Sequence, residues 1–166
     1  VAITVTAEAK SKQYGASDPV LTHVITTGSL VIGDSLTGLL TRASGEDVGT
    51  YAINQGTLAN SNYDITYAGA NLTVTQRPIT VTADSATKEY GASDPALTLS
   101  VTTGSLVGQD ALSGSLTRVS GESVGSYAIL RGTVENTNYD ITYVGALLSV
   151  SQRPITVTAA AKSKEY

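Results

Sequence analysis

The chain has 166 residues, with 14 acidic against 10 basic side chains, one histidine, no Cys, Met, Trp or Phe, and nine tyrosines as its only aromatics. A net charge of −4 supplies no clustered basic face for a polyanion, which excludes nucleic acid as a partner. Without cysteine there are no disulfides, thiolate metal sites or cysteine nucleophiles, and no apolar run approaches the roughly 20 residues of a membrane-spanning helix, so direct membrane insertion is not expected.

In chain order, the first predicted element is "ITVTA" at 3–7, where Ile3, Val5 and Ala7 point one way and Thr4 and Thr6 the other, the period of a half-buried strand. Further strands are predicted over 21–27, 36–42, 50–55, 63–68 and 70–75. Turn chemistry separates them: "GASDP" at 15–19, "SGED" at 44–47 and "NSNYD" at 60–64 combine Gly, Pro, Asn, Asp and Ser. No segment of ten or more residues keeps a helical apolar period.

The same set then recurs. Ile3, Ile79 and Ile155 are evenly spaced, Tyr14, Tyr90 and Tyr166 keep the same interval, and residues 3–78 align on 79–154 without a gap, identical at 50 of 76 positions. The chain therefore reads as a first β repeat at 1–78 (repeat unit 3–78), a second at 79–154, and the opening of a third, truncated repeat at 155–166. The expected fold class is all-β: two tandem, small, mostly antiparallel, sandwich-like domains arranged end to end. Differences between the copies mark faces turned to water. Leu39 becomes Ser115 between the unchanged neighbours Leu36/Leu112 and Leu40/Leu116, and Val24 becomes Ser100. "QRP" at 76–78 and 152–154 is a short, extended, stiff junction, since proline fixes φ. The "ITVTA" strand fits either its own repeat or the preceding one. Two beads of this size in line would span roughly 60–80 Å.

Read together, "K-x-YGASDP-x-LT", "GSL…D-x-L-x-G-x-L-T-R-x-SGE-x-VG-x-YAI…GT" and "N-x-NYDITY-x-GA-x-L-x-V…RPITVTA" resemble the MBG repeat of the YGX type. Tyr14-Gly15, Asp18-Pro19, Gly45-Glu46, Gly49, Tyr51 and Asn62-Tyr63 carry the likeness, with their equivalents in the second copy. The resemblance implies an extracellular mostly-β repeat, found in tandem in large bacterial surface or secreted proteins such as adhesins of the filamentous-haemagglutinin kind. It brings no catalytic residues.

Candidate chemistry is sparse. His23 lies on the inward parity of its strand where the second copy has Leu99, and reads as a core or boundary residue rather than a ligand or base. There is no G-x-S-x-G elbow, P-loop or G-x-G-x-x-G, and no enzyme activity is expected. Asp18, Asp34, Glu46 and Asp64 recur as Asp94, Asp110, Glu122 and Asp140. Oxygen ligands gathered from loops are what Ca²⁺ requires, which makes these eight the candidate metal ligands, although their spacing is neither EF-hand nor RTX-like and turn capping accounts for the same residues. No other cofactor is expected. Lys12, Lys88 and Lys164, with Asn60, Asn62, Asn136 and Asn138, are candidates for a lysine–asparagine crosslink; Lys12, beside turn residues, is expected to be solvated. Tyr51, Tyr63 and Tyr67, with Tyr127, Tyr139 and Tyr143, are assigned to the core, and the alternating threonines to wet strand faces. Two functions fit: a stiff stalk of a surface adhesin whose partners are neighbouring repeats of the same chain, or a weak multivalent module for a host glycan or protein. In both the chain is expected to be a monomer.

Overall fold

The alternation that marks "ITVTA" is realised in strand β1 (Ala2–Ala7), where Ile3, Val5 and Ala7 are buried and Thr4 and Thr6 half-buried. The computed structural model describes residues 1–166. β2 (Lys10–Gln13), β3 (His23–Thr27), β4 (Thr41–Arg42), β5 (Gly49–Asn54), β6 (Asp64–Ala68) and β7 (Ala70–Thr75) complete the first repeat. The second comprises β8 (Arg77–Ala83), β9 (Ala86–Glu89), β10 (Leu99–Thr103), β11 (Thr117–Arg118), β12 (Gly125–Leu130), β13 (Tyr139–Val144) and β14 (Ala146–Ser151). Every regular element is a strand, as the sequence pattern requires.

Each repeat builds a three-stranded and a four-stranded sheet, ordered β3-β1-β6 and β2-β7-β5-β4 in the first and β10-β8-β13 and β11-β12-β14-β9 in the second. The sheets are mixed. β1 runs antiparallel to β3, with a bulge between Thr4 and Val5, and parallel to β6. β7 runs antiparallel to β5 and parallel to β2. Inward side chains from both sheets form one core: Ile3, Val5 and Ala7 from β1, Ile53 from β5 and Leu72 from β7, closed by Leu40, Leu58 and Tyr63. In the second repeat Ala83, Ile129 and Leu148 hold the corresponding places.

By packing, the chain divides into two compact units. Unit 1 is Val1–Ile79 with Leu106–Ala111 and Asn136–Ile141; unit 2 is Thr80–Ser105, Leu112–Glu135 and Thr142–Tyr166.

The register settles where "ITVTA" belongs. β1 lies between β3 and β6 of its own repeat, and β8 between β10 and β13. Residues 155–166 repeat that sequence yet form no strand and are exposed.

Two expectations need correction. The strand predicted over 36–42 shrinks to β4. Thr37 makes only an isolated bridge to Ala59, and Leu39 N donates to the Thr57 hydroxyl at 3.0 Å, so the backbone there is satisfied by a neighbouring turn. β2 and its copy β9 were not expected at all, because the inward side chain of each is a lysine and an apolar period does not reveal it. The reading of exposed faces agrees with the structure: Leu39 and Val24 are exposed, whereas Leu40 is buried.

Leu72 and Leu148 are fully buried, so Leu72→Ala should lower unfolding free energy by about 2–5 kcal/mol in urea titrations, while Leu39→Ala should change it by less than about 0.5 kcal/mol.

Candidate functional site

Strand β2 places Lys12 inward by simple alternation, and pairing with β7 sets it opposite Val74. Its side chain is only 4% exposed, against the expectation that it is solvated. A buried ammonium is tolerated only with close counter-charges, and two converge on it. Lys12 Nζ donates to Asp18 Oδ1 at 2.6 Å and to Glu46 Oε2 at 2.5 Å. Asp18 arrives from the turn that follows Tyr14, where Ala16 N donates to Gln13 O; Glu46 comes from the turn between β4 and β5.

Arg42, at the end of β4, closes the arrangement. Its guanidinium donates to both oxygens of Asp18, from Nε at 2.6 Å and Nη2 at 3.1 Å, and Nη2 also donates to Glu46 Oε1. Nη1 donates to the carbonyls of Ala43 and Gly45. The guanidinium carbon lies 5.5 Å from the centroid of the Tyr51 ring, a favourable cation–π placement. Gly45 (φ +138°) passes so close to that ring that a Cβ would overlap it, which explains glycine before Glu46. Two cations and two anions thus form a neutral cluster, with the cations inside and the carboxylates at the rim, Asp18 41% and Glu46 62% exposed.

The second repeat rebuilds the cluster. Lys88 Nζ donates to Asp94 at 2.6 Å and Glu122 at 2.5 Å. Arg118 donates to Asp94 and Glu122 and stacks on Tyr127.

Electrostatics follow from this geometry. Hydrogen bonds from Arg42 and then Lys12 hold the Asp18 carboxyl down to about 2, and those from Arg118 and Lys88 hold Asp94 to about 2. Glu46 and Glu122 are lowered, chiefly by the lysines, and Lys12 and Lys88 are raised, chiefly by the aspartates. A nucleophilic lysine needs a depressed pKa, and amide formation needs a neutral amine beside a protonated carboxyl. This cluster, a lock of ion pairs, drives its lysines and carboxylates the other way.

The remaining candidates do not join it. Asp34 and Asp110 lie apart, accepting from Tyr63 Oη at 2.8 Å and Tyr139 Oη at 2.6 Å. Asp64 and Asp140 are exposed at their strands. Of the eight candidate ligands only Asp18 with Glu46, and Asp94 with Glu122, meet, and a lysine and an arginine already occupy the space between them. Asn60 and Asn62 do not approach Lys12: Asn60 Nδ2 donates to Ser35 O and its Oδ1 accepts from Asn62 N, shaping the turn before Tyr63. His23 is half-buried opposite Ala7. Tyr63 and Tyr139 are buried, and Tyr51, Tyr67, Tyr127 and Tyr143 half-buried. Sequence reasoning missed Arg42 and Arg118, whose signal was their place in the shared string T-R-x-S-G-E.

A model of the MBG domain (YGX type) matches residues 3–73 and again 79–149. None of the curated proteins compared with the chain matches it.

Because its side chain is buried, Lys12 suffers most when a partner is lost. Asp18→Asn should lower the Tm by at least about 4 °C, whereas Lys12→Met, which leaves the carboxylates facing water, should cost less than half as much. The pH dependence has a definite sign. The contribution of Asp18 and Asp94 is complete above their ordinary 3.8 and is lost as pH falls through about 2; that of Lys12 and Lys88 is complete below 10.5 and is lost as pH rises through their raised values. Thermal scans should show a plateau from about pH 5 to 9 and a decline below about pH 4, and the decline should be shallower in Asp18→Asn/Asp94→Asn.

Proposed function

From the premise that this chain belongs to the MBG (YGX type) family, adhesin-like repeat modules, we propose that it is a non-enzymatic, load-bearing spacer of an extracellular bacterial surface protein. The observation that supports this reading is the position of the first and last strands of each repeat. The chain enters through β1 and leaves through β7, and both are interior to their sheets: β1 lies between β3 and β6, and β7 between β2 and β5. β8 and β14 occupy the same places in the second repeat. Tension applied to the ends of a repeat therefore meets two ladders at each loaded strand, and the hydrogen bonds of a ladder sheared along its length must yield together rather than one at a time. Lys12 adds to this by tying β2, which flanks the loaded β7, to the loops that carry Asp18 and Glu46. The intact recurrence of the lock in the second repeat suits a property every bead of an array must have.

On this reading, stiffness needs no calcium, since the carboxylates that meet are neutralised by Lys12 and Arg42. The decisive measurements are mechanical and hydrodynamic. Pulling the chain by its ends should give two unfolding events, each releasing roughly 230 Å, at forces well above those of a terminal strand peeled from a sheet edge; forced unfolding is governed by this barrier. Small-angle scattering should give a largest dimension of roughly 60–80 Å, the same with Ca²⁺ and with chelator. Low unfolding forces or a compact particle would sink the spacer reading and favour glycan or host-protein binding; extension only with Ca²⁺ would return the carboxylates as ligands.

A further inference from the structure

Inside unit 1, Tyr14 packs edge-on against Tyr139, with ring centroids 5.5 Å apart and planes at 78°. Its hydroxyl donates to Asp110 Oδ2 at 2.9 Å. The adjoining Gly15 (φ +76°) lies so close to Val107 that a Cβ would overlap the valine side chain. Asn138 completes the contact through its amide: Oδ1 accepts from Val48 N at 2.9 Å, and Nδ2 donates to Asp47 Oδ1 at 2.8 Å. Two half-surfaces are thereby matched, one built on Tyr14, Gly15 and Val48, the other on Val107, Asp110, Asn138 and Tyr139.

Each half exists a second time in the sequence, one repeat length away, and there Tyr90 and Val124 of the first half and Val31 of the second are exposed. The first recurs as Tyr90, Gly91 and Val124. The second occurs earlier as Val31, Asp34, Asn62 and Tyr63. Exposure follows occupancy: Tyr14 is 9% exposed and Tyr90 51%, Val48 37% and Val124 53%. Val31 is 62% exposed beside a fully exposed Ile32, whereas Val107 is half-buried.

Both uncovered halves already have the required form. Tyr63 Oη donates to Asp34 and accepts from Val31 N at 2.8 Å, as Tyr139 Oη does with Asp110 and Val107 N. Asp110 takes two tyrosine hydroxyls; Asp34, with the same number of lone pairs, takes one of the two. Gly91 has φ +82°, close to that of Gly15, so the turn presenting Tyr90 has the same shape.

We propose that the Tyr90 face of one molecule docks on the Val31–Asp34–Tyr63 face of a second copy of this chain. In that contact the Tyr90 hydroxyl donates to Asp34, its ring stands edge-on to Tyr63, and Val31 covers Gly91. A further repeat in a longer polypeptide would present the same face and be bound by the same chemistry. One contact is weaker than in unit 1: Ser123 stands where Asp47 does, so the Asn62 amide meets a hydroxyl in place of a carboxylate. The interface is small, and the free-chain dissociation constant falls at about 0.1–1 mM, leaving a monomer at micromolar concentration. Because the two faces differ and every copy carries both, association is head-to-tail and does not stop at a dimer.

Sedimentation of the full chain from about 10 μM to 1 mM tests this. The weight-average mass of the wild type should rise past that of a dimer. Tyr90→Ala and Val31→Asp, both at exposed positions, should each weaken association at least about tenfold, with unchanged circular dichroism. Mixed in equal amounts, the two variants retain one intact face each, and should form a complex that stops at a dimer. A wild type that stays monomeric at about 1 mM, variants that associate as well as the wild type, or a mixture that stays monomeric while the wild type associates would each overturn the proposal.

Discussion

An ammonium withdrawn from water on the inner side of a short strand is the constraint around which each repeat is organised. Lys12 and Lys88 cannot be buried alone, so each repeat must deliver a carboxylate from the turn after β2 and another from the turn after β4. Two carboxylates on one ammonium would leave excess negative charge, and Arg42 or Arg118 balances it. The arginine in turn needs a surface for its flat face, which Tyr51 or Tyr127 supplies, and room for the backbone beneath that ring, which only glycine leaves. The pattern of Lys, Asp-Pro, Arg, Gly-Glu and Tyr, spread from Lys12 to Tyr51, is thus the solution of one electrostatic problem.

This arrangement suits a small domain with little to bury. Without Phe, Trp or Met the core rests on Val, Ile, Leu and tyrosine rings, and bodies of this size are marginal on apolar burial alone. Disulfides are the common remedy, and the chain has none. A charge cluster in which each carboxylate oxygen accepts from a lysine or an arginine gives little net energy compared with an apolar filling of the same space, but it makes misplacement of any loop costly. It therefore specifies one arrangement of the loops over the β2-β7-β5-β4 sheet. The first and last strands of each repeat, β1 and β7 or β8 and β14, are likewise held from both sides.

Much of the fold was legible in the residues. Period-two alternation located β1, β3, β5, β6 and β7 to within one or two residues, because each places apolar side chains against a core on alternate positions. The gap-free recurrence of the repeat showed which polar residues return in both copies, and comparing copies separated wet faces from dry ones. The same logic failed at β2, where the inward residue is charged, and at 36–42, where Leu36 and Leu40 share one parity along a segment whose backbone bonds to a turn.

Sequence by itself determined the all-β class, the duplication, the turns and the list of recurring charged residues, since these depend on local propensity and on alternation along one strand. It could not determine that Asp18 and Glu46 meet, that Asp34 and Asp64 lie apart, or that Lys12 is buried between the former pair. Those facts depend on parallel pairing of β2 with β7 and on where two loops cross, which are set by contacts among residues far apart in the chain. Which strand "ITVTA" accompanies was undecided for the same reason: an alternating pentapeptide carries its faces with it, but its neighbours are chosen only when the sheets assemble.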